Sequence, residues 1–320
     1  MDFKNIVAVV ADDSAAVDTF IQKNLQSQVT LINEVGRYIV QSGGKRLRPL
    51  VCLLTARACG YEGRQHIDVA AIIELLHTAT LLHDDVVDDS GLRRGRATAN
   101  ARWDNPTAVL VGDYLISKAF QLIVSLRNTA VMDIMSAGTC VIAEGEVLQL
   151  INQRDPDTTE TRYMDVIYGK TAKLFETAAE SGASLGNPAL QAACAAYARH
   201  LGAAFQIIDD VLDYTSSAEI MGKNVGDDLA EGKPTLPLIQ AMKVAAPAEA
   251  GLIREAIKTG GLEQLDDIIR IVQCSGALDY TQERARHESR LALQALQPLP
   301  DSIYKTALED LTRIALGRNS

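Results

Sequence analysis

Basic charge, aromatic residues, paired cysteines and long apolar runs are all scarce in this 320-residue chain. Lys and Arg number 31 against 41 Asp and Glu, a formal charge of −10 with a pI near 5.0. Neutralising a phosphate backbone needs a basic face, so the balance excludes a nucleic-acid binder and argues against a polybasic membrane patch. The longest charge-free stretch, 181–198, is interrupted by Gly182, Gly186, Asn187 and Pro188. A spanning helix wants about 20 mostly apolar residues, so no transmembrane segment is expected. The N-terminal MDFKNIVAVVADD lacks a basic start followed by a long apolar run, and no export signal is read there. Cys52, Cys59, Cys140, Cys194 and Cys274 form no C-x-x-C pair and are odd in number. That pattern fits reduced, core-packing thiols in a cytoplasmic protein.

Aromatic residues are only 5% of the chain, and no stretch alternates strictly every two residues between turn signals, which argues against a sheet protein. What is present is helical spacing: Val17–Gln41, Leu47–Ala58, Ile67–Val87, Ala108–Leu126, Val131–Ile151, Thr159–Ser181 and Ala189–Asp213, with shorter segments after them. Gly43–Gly44, Gly60, Gly91, Asn105–Pro106, Asp155–Pro156, Asn187–Pro188 and Gly232 separate these segments. The fold class is all-α. Ile67–Val87 is apolar nearly all round, as expected of a helix buried inside a bundle. No Pro/Ser-rich linker or low-complexity tract divides the chain, so residues 1–320 are read as one domain.

Two of the apolar helices end alike. One runs into His83-Asp84-Asp85-Val86-Val87-Asp88-Asp89, the other into Ile208-Asp209-Asp210-Val211-Leu212-Asp213. Each gives D-D-x-x-D, with Asp84/Asp88 and Asp209/Asp213 sharing a face at i,i+4. Like charges at that spacing cost on the order of 0.2–0.5 kcal/mol, and opposing the macrodipole at a helix C-terminus costs a further ~0.3–1 kcal/mol. One such motif could be a solvated acidic helix end. Two copies point to a cation that offsets the cost. All-carboxylate donors favour a hard ion, and Mg²⁺ fits best because it keeps waters and bridges carboxylates to phosphates. Calcium fits less well, since neither segment has the 12-residue loop with central Gly and terminal Glu.

Cations lie nearby in sequence. Gly43-Gly44-Lys45-Arg46-Leu47-Arg48-Pro49 places two glycines and three cations before a helix, where backbone N–H groups suit a diphosphate. Ser90-Gly91-Leu92-Arg93-Arg94-Gly95 follows the first Asp cluster directly. Lys170-Thr171 sits in a helical segment, and Lys223 and Lys233 follow the second cluster in glycine-containing loops.

Together, G-G-K-R-L-R-P, L-L-H-D-D-V-V-D-D-S-G-L-R-R-G, Lys170-Thr171, F-Q-I-I-D-D-V-L-D and G-K-P-T resemble the trans-isoprenyl diphosphate synthases over about Gly43 to Leu238. Segments such as HTATLLHDDVVDD, ATAN and AEGEVLQL are most similar to bacterial octaprenyl diphosphate synthases. The resemblance implies an all-α prenyltransferase bundle with a central apolar tunnel, usually a homodimer. It also implies an allylic diphosphate held through Mg²⁺ between the two Asp clusters. By motif position, Lys45, Arg48, His77 and Arg94 would hold isopentenyl diphosphate, His77 standing where some relatives carry Gln. Arg93, Lys170, Thr171, Gln206, Lys223 and Lys233 would hold or orient the allylic diphosphate. Asp84, Asp88 and Asp209 would ligate metal directly, with Asp85, Asp210 and Asp213 in support. Without the family, His77 would be read as a core histidine.

The implied chemistry is departure of diphosphate, attack of the isopentenyl double bond on the allylic cation, and exclusion of water by the apolar interior. The motifs hold no separate His or Glu base, and the resemblance implies that the released diphosphate takes the proton. Ala79 and Thr80, five and four residues before Asp84, lie about one turn below the metals. Both are small, which disfavours a short product. An eight-unit chain needs a tunnel on the order of 35–40 Å, about 25 helical residues, with Phe120, Leu122 or Ile123 as candidate floors. The expectation is an octaprenyl product from farnesyl and isopentenyl diphosphates, serving quinone side chains. A geranylgeranyl or medium-chain synthase, or a non-catalytic subunit of a heteromeric synthase, is the alternative. Whether the chain touches a membrane surface to release product stays open. Nine of the 41 acids lie at Asp84, Asp85, Asp88, Asp89, Asp209, Asp210, Asp213, Asp227 and Asp228, so the acid surplus itself reads as a route to diphosphate through metal.

Overall fold

With apolar residues at helical spacing and few aromatic residues, the chain satisfies its amides along its own axis and is helical almost throughout. The structure, a computed structural model, describes residues 1–41, 43–215 and 226–317. The chain divides into two compact units. One is Met1–Ala137 with Leu174–Ala196 and Ala295–Leu311; the other is Gly138–Lys173 with Tyr197–Gln294 and Thr312–Ser320.

The first unit contains α1 (Phe3–Ala8), α2 (Ala11–Asn24), α3 (Thr30–Gln41), α4 (Leu47–Ala58), α5 (Gln65–Val87), α6 (Ala99–Arg102), α7 (Asn105–Ser125) and the start of α8 (Thr129–Asn152). Helix α5 packs against α2, α4 and α7 and buries 13 of its 23 residues, so its sequence is apolar on every side. At Gly112 of α7 a Cβ would collide with the His83 ring, so α5 and α7 approach closely there. Three local readings change. Val17–Gln41 is two helices, because Ser27 and Asn33 exchange side-chain and backbone hydrogen bonds of 2.8 Å and hold the intervening turn. A two-stranded hairpin, Leu92–Arg93 against Arg96–Ala97, follows the first Asp cluster. And while Cys52, Cys59 and Cys194 are buried, Cys140 and Cys274 are exposed instead of packing a core.

In the second unit, α9 (Glu160–Val166) passes into a π-helical turn, Ile167–Ala172, which holds Lys170 and Thr171. A Cβ at Gly145 of α8 would lie 2.5 Å from both the carbonyl carbon of Gly169 and the amide nitrogen of Lys170. The backbones therefore touch where the π turn forms, a wider turn that is frequent at functional sites. Tyr163, Ile167, Ile207, Ile208, Leu236 and Ile239 build one apolar cluster of this unit. A second gathers Tyr214, Leu229, Leu238, Ile253, Ile268 and Ile271.

The expectation of no spanning segment needs one correction. Helices α7 and α8 are long and apolar enough by length and composition, with 39% and 22% of the relevant windows buried. These two carry Asp113, Lys118, Asp133, Glu144 and Glu146 along their lengths. Those few charges are spaced apart, so neither helix contains a long charge-free run.

Candidate active site

The first Asp cluster is fixed by how α5 ends. Asp88 caps the helix, Asp89 takes the left-handed conformation at φ 50°, and the amides of Asp89 and Ser90 bond the carbonyls of Val86 and Asp85 at 3.3 and 2.9 Å. This is the Schellman arrangement with aspartate in the place glycine usually takes. The segment after it is tied back: Thr98 Oγ1 donates to the Ser90 carbonyl at 2.7 Å, and Asn100 Nδ2 donates to the Asp85 and Ser90 carbonyls. Asp84 and Asp88 are half-buried, whereas the Asp85 side chain is only 1% exposed. Arg93, expected on the allylic diphosphate, donates to Asp85 Oδ1 at 2.7 Å. Burial raises the Asp85 carboxyl above its usual range, and the Arg93 guanidinium opposes that rise.

The same unit brings the basic motifs together. Gly43 and Gly44 have φ values of 76° and 142°, and a Cβ at Gly44 would lie 2.5 Å from Arg94 Nη1. The Arg94 guanidinium thus rests on the Gly44 backbone. Arg48 Nη1 donates to His77 Nε2 at 3.1 Å and its guanidinium lies 4.5 Å over the Phe175 ring. Arginine has no acceptor, so Nε2 is the accepting nitrogen and the proton sits on Nδ1. Burial, reinforced by the Arg48, Arg94 and Arg93 charges, holds the His77 imidazole well below its usual range. Lys45 is exposed, its Nζ 5.8 Å from the Phe3 ring centroid. The sequence reading missed Glu74, one turn before His77. Burial raises its carboxyl, and the charges of Arg46, Arg48 and Arg94 oppose the rise. Its spacing from His77, three residues on one helix face, was the available signal.

In the second unit, Lys170, Thr171, Gln206, Asp210, Asp228 and Lys233 line one solvent-open pocket, together with Asn152, Thr158 and Tyr163. Tyr163 Oη donates to Asp210 Oδ2 at 2.6 Å, Gln206 Nε2 donates to Asp210 Oδ1 at 2.9 Å, and Thr171 Oγ1 donates to Gln206 Oε1 at 3.0 Å. Lys170 Nζ pairs with Glu146 Oε2 at 2.8 Å, and Lys233 pairs with Glu231. The Lys233 loop is moored to the end of α8, where the Arg154 amide bonds the Gly232 carbonyl at 2.8 Å. Asp209 is half-buried; Asp210 and Asp213 are buried. Lys223 lies outside the described residues. Glu146 and Tyr163 were not foreseen. Tyr163 stands seven residues before Lys170, a two-turn spacing that could have flagged it.

Ala79 is fully buried and Thr80 half-buried on α5, with Thr80 Oγ1 bonded to the His77 carbonyl at 2.9 Å. Of the candidate floor residues, Leu122 and Ile123 are buried and Phe120 is exposed. Among the described residues, no three His, Cys, Asp or Glu side chains converge to enclose an ion unaided. The donor sets are oxygen-only carboxylate pairs at i,i+4, which fit a hard divalent cation shared with a phosphate.

The profile of the polyprenyl synthetase family matches residues 29–274. The all-trans-nonaprenyl-diphosphate synthase (geranyl-diphosphate specific) of Rhodobacter capsulatus is 57% identical over 99% of each chain. The octaprenyl diphosphate synthase of Escherichia coli K12 is 50% identical over the full length of both. A crystal structure of the Caulobacter crescentus CB15 polyprenyl synthase, complexed with calcium and isoprenyl diphosphate, superposes with a TM-score of 0.96 at 39% identity, covering 100% of this chain and 98% of that one. With that fold, that profile and those identities over its whole length, the chain is a prenyltransferase and belongs to the polyprenyl synthetase family.

Proposed function

We propose that the chain, acting as one polyprenyl synthase domain over residues 1–320, is a cytoplasmic, Mg²⁺-dependent long-chain synthase. It would extend farnesyl diphosphate with isopentenyl diphosphate to octaprenyl diphosphate for quinone side chains. The observation that carries this is the pairing of each acidic helix end with its own basic cradle. Gly44, Arg94, Arg48 and His77 accompany Asp84 and Asp88, while Lys170, Thr171, Gln206 and Lys233 accompany the cluster at Asp209.

In this assignment Arg48, Arg94 and Lys45 bind isopentenyl diphosphate. Neutral His77, its Nε2 already occupied by Arg48, leaves the positive charge of that site to the guanidinium groups. Lys170, Thr171, Gln206 and Lys233 orient the allylic diphosphate, and their donors stabilise negative charge as it develops on the leaving group. When bound at Asp84, Asp88 and Asp209, Mg²⁺ would supply Lewis-acid neutralisation of that diphosphate. The apolar faces of α5 and α7 exclude water from the allylic cation. Its capture by the isopentenyl double bond forms the new C–C bond, and the departing diphosphate accepts the proton lost. The missing calcium-type loop bears only on a cation held by protein alone, so calcium bound between carboxylate and diphosphate belongs in the test. A homodimer is supported by exposed apolar residues along α7 and α8, among them Leu110, Val124, Val147, Leu150 and Ile151.

A second reading, a nine-unit product primed by geranyl diphosphate, is favoured by the higher identity to the Rhodobacter capsulatus enzyme. Purified protein incubated with isopentenyl diphosphate, either primer, and Mg²⁺ or Ca²⁺ decides by product chromatography. Eight units from farnesyl diphosphate with Mg²⁺ is expected. A main product of nine units selects the second reading, and one of four units overturns both.

A further inference from the structure

We propose that Tyr163 is a positioning residue that sets the affinity of the second Asp cluster for its metal–diphosphate ligand by holding Asp210; this rests on the function proposed above. Asp210 is 3% exposed, near the end of the helix Gln191–Leu212, beside Ile207 and Ile208. A carboxylate so placed needs its oxygens satisfied by donors of fixed position. Oδ2 receives the Tyr163 hydroxyl at 2.6 Å, the short distance of a charge-assisted O–H···O⁻ bond. Oδ1 receives Gln206 Nε2 at 2.9 Å, and Gln206 Oε1 receives Thr171 Oγ1 at 3.0 Å.

The chain Thr171–Gln206–Asp210–Tyr163 links α9, the π turn and the helix Gln191–Leu212 through side chains that all line the same pocket. Its direction is fixed. Tyrosine and threonine hydroxyls donate at the two ends, the Gln206 amide relays, and Asp210 accepts from both sides. Each Asp210 oxygen thus accepts a hydrogen bond from a neutral protein donor, and Asp210 serves as an anchor. Direct cation contact falls to Asp209, half-buried beside it. Removing the Tyr163 hydroxyl takes its donor away from Asp210 Oδ2, lets the carboxylate turn, and loosens Gln206 and Thr171 with it.

The probe is Mn²⁺ with inorganic diphosphate, titrated by calorimetry and by electron paramagnetic resonance, beside steady-state kinetics on the full-length enzyme. Tyr163→Phe keeps the ring and is expected to weaken Mn²⁺–diphosphate binding about tenfold, the usual scale for a residue behind a metal ligand. Half-saturating Mg²⁺ and the KM for the allylic diphosphate should rise together, with the KM for isopentenyl diphosphate unchanged. Ile239→Val, in the apolar cluster that packs Tyr163 but outside the pocket, should leave Mn²⁺ binding unaltered; an equal loss there would assign the effect to packing and overturn the proposal. In an Asp210→Asn background Tyr163→Phe should add nothing, and additive losses would overturn it. Asp210→Asn alone covers the case in which the phenylalanine variant does not fold: it should weaken Mn²⁺ binding about tenfold where Asp209→Asn abolishes it. Equal losses at the two positions would make Asp210 a direct ligand and refute the anchor. If the wild-type enzyme makes no polyprenyl diphosphate, the proposed function fails, while the Mn²⁺ titration still reports on Tyr163.

Discussion

A single methyl group tests the basic cradle of the first unit. Gly44 adopts φ 142°, a conformation L side chains rarely take, and its face carries the Arg94 guanidinium. Gly44→Ala should push Arg94 away and raise the KM for isopentenyl diphosphate about tenfold, the worth of one bond to a charged group, with the allylic KM unchanged. Steady-state kinetics with each substrate varied separately checks this. Beside it, Arg93 serves Asp85. Arg93→Ala strands a carboxylate whose side chain is 1% exposed. Breaking a buried pair costs ~3–5 kcal/mol, and since Arg93 is 37% exposed the expected loss is about 2–3 kcal/mol in urea unfolding. An unchanged unfolding midpoint with lost allylic affinity would return Arg93 to the diphosphate. None of these pairings can be read from a sequence, because it orders motifs along the chain and does not say which guanidinium meets which carboxylate.

At the scale of elements, a clamp of Asp13, Arg57 and His66 joins α2, α4 and α5. Arg57 donates to both Asp13 oxygens at 2.9 and 3.0 Å, and His66 Nε2 donates to Oδ2 at 2.9 Å. Burial pushes the fully buried His66 below its usual pKa, against the pull of Asp13. A base with a lowered folded pKa favours the neutral form. Its contribution is whole above the unfolded value of about 6.5 and drains as pH falls toward the folded one. His66→Gln retains a donor without titrating, so the wild-type advantage in urea midpoint should shrink from pH 7.5 to pH 5.5; a constant difference would contradict it. Element types were legible from periodicity and composition, and so were the two D-D-x-x-D ends. Three features were not, each for a tertiary or side-chain reason. The 17–41 run breaks where Ser27 and Asn33 capture backbone groups. The π turn at Lys170 goes with the Gly145–Gly169 contact, 24 residues apart in sequence. The hairpin after Asp89 rests on Thr98 and Asn100, side chains whose partners lie several residues back.

For the whole molecule, product length and assembly are the properties that no one motif determines. Ala79 is fully buried on α5, one turn from Asp84, so Ala79→Tyr should shorten the product sharply. Chromatography showing an unchanged length would refute the tunnel placement. Assembly follows from surface. A monomer seldom leaves long apolar helix faces in water, yet Leu110 and Val124 on α7 are 66% and 52% exposed, and Val147, Leu150 and Ile151 on α8 are 58%, 57% and 63% exposed. On α8, Leu150 and Ile151 lie three and four positions after Val147, so the three share one helix face. The dimer proposed above would cover this stripe, a second copy being the partner always present at equal concentration. Leu150→Glu combined with Ile151→Lys adds no net charge and places two charges on that face without touching the pocket. The wild type should run as a dimer in light scattering, and the double variant should dissociate while keeping its helical circular dichroism. A wild-type monomer that partitions onto neutral lipid vesicles would assign the same stripe to a membrane surface and end the dimer argument.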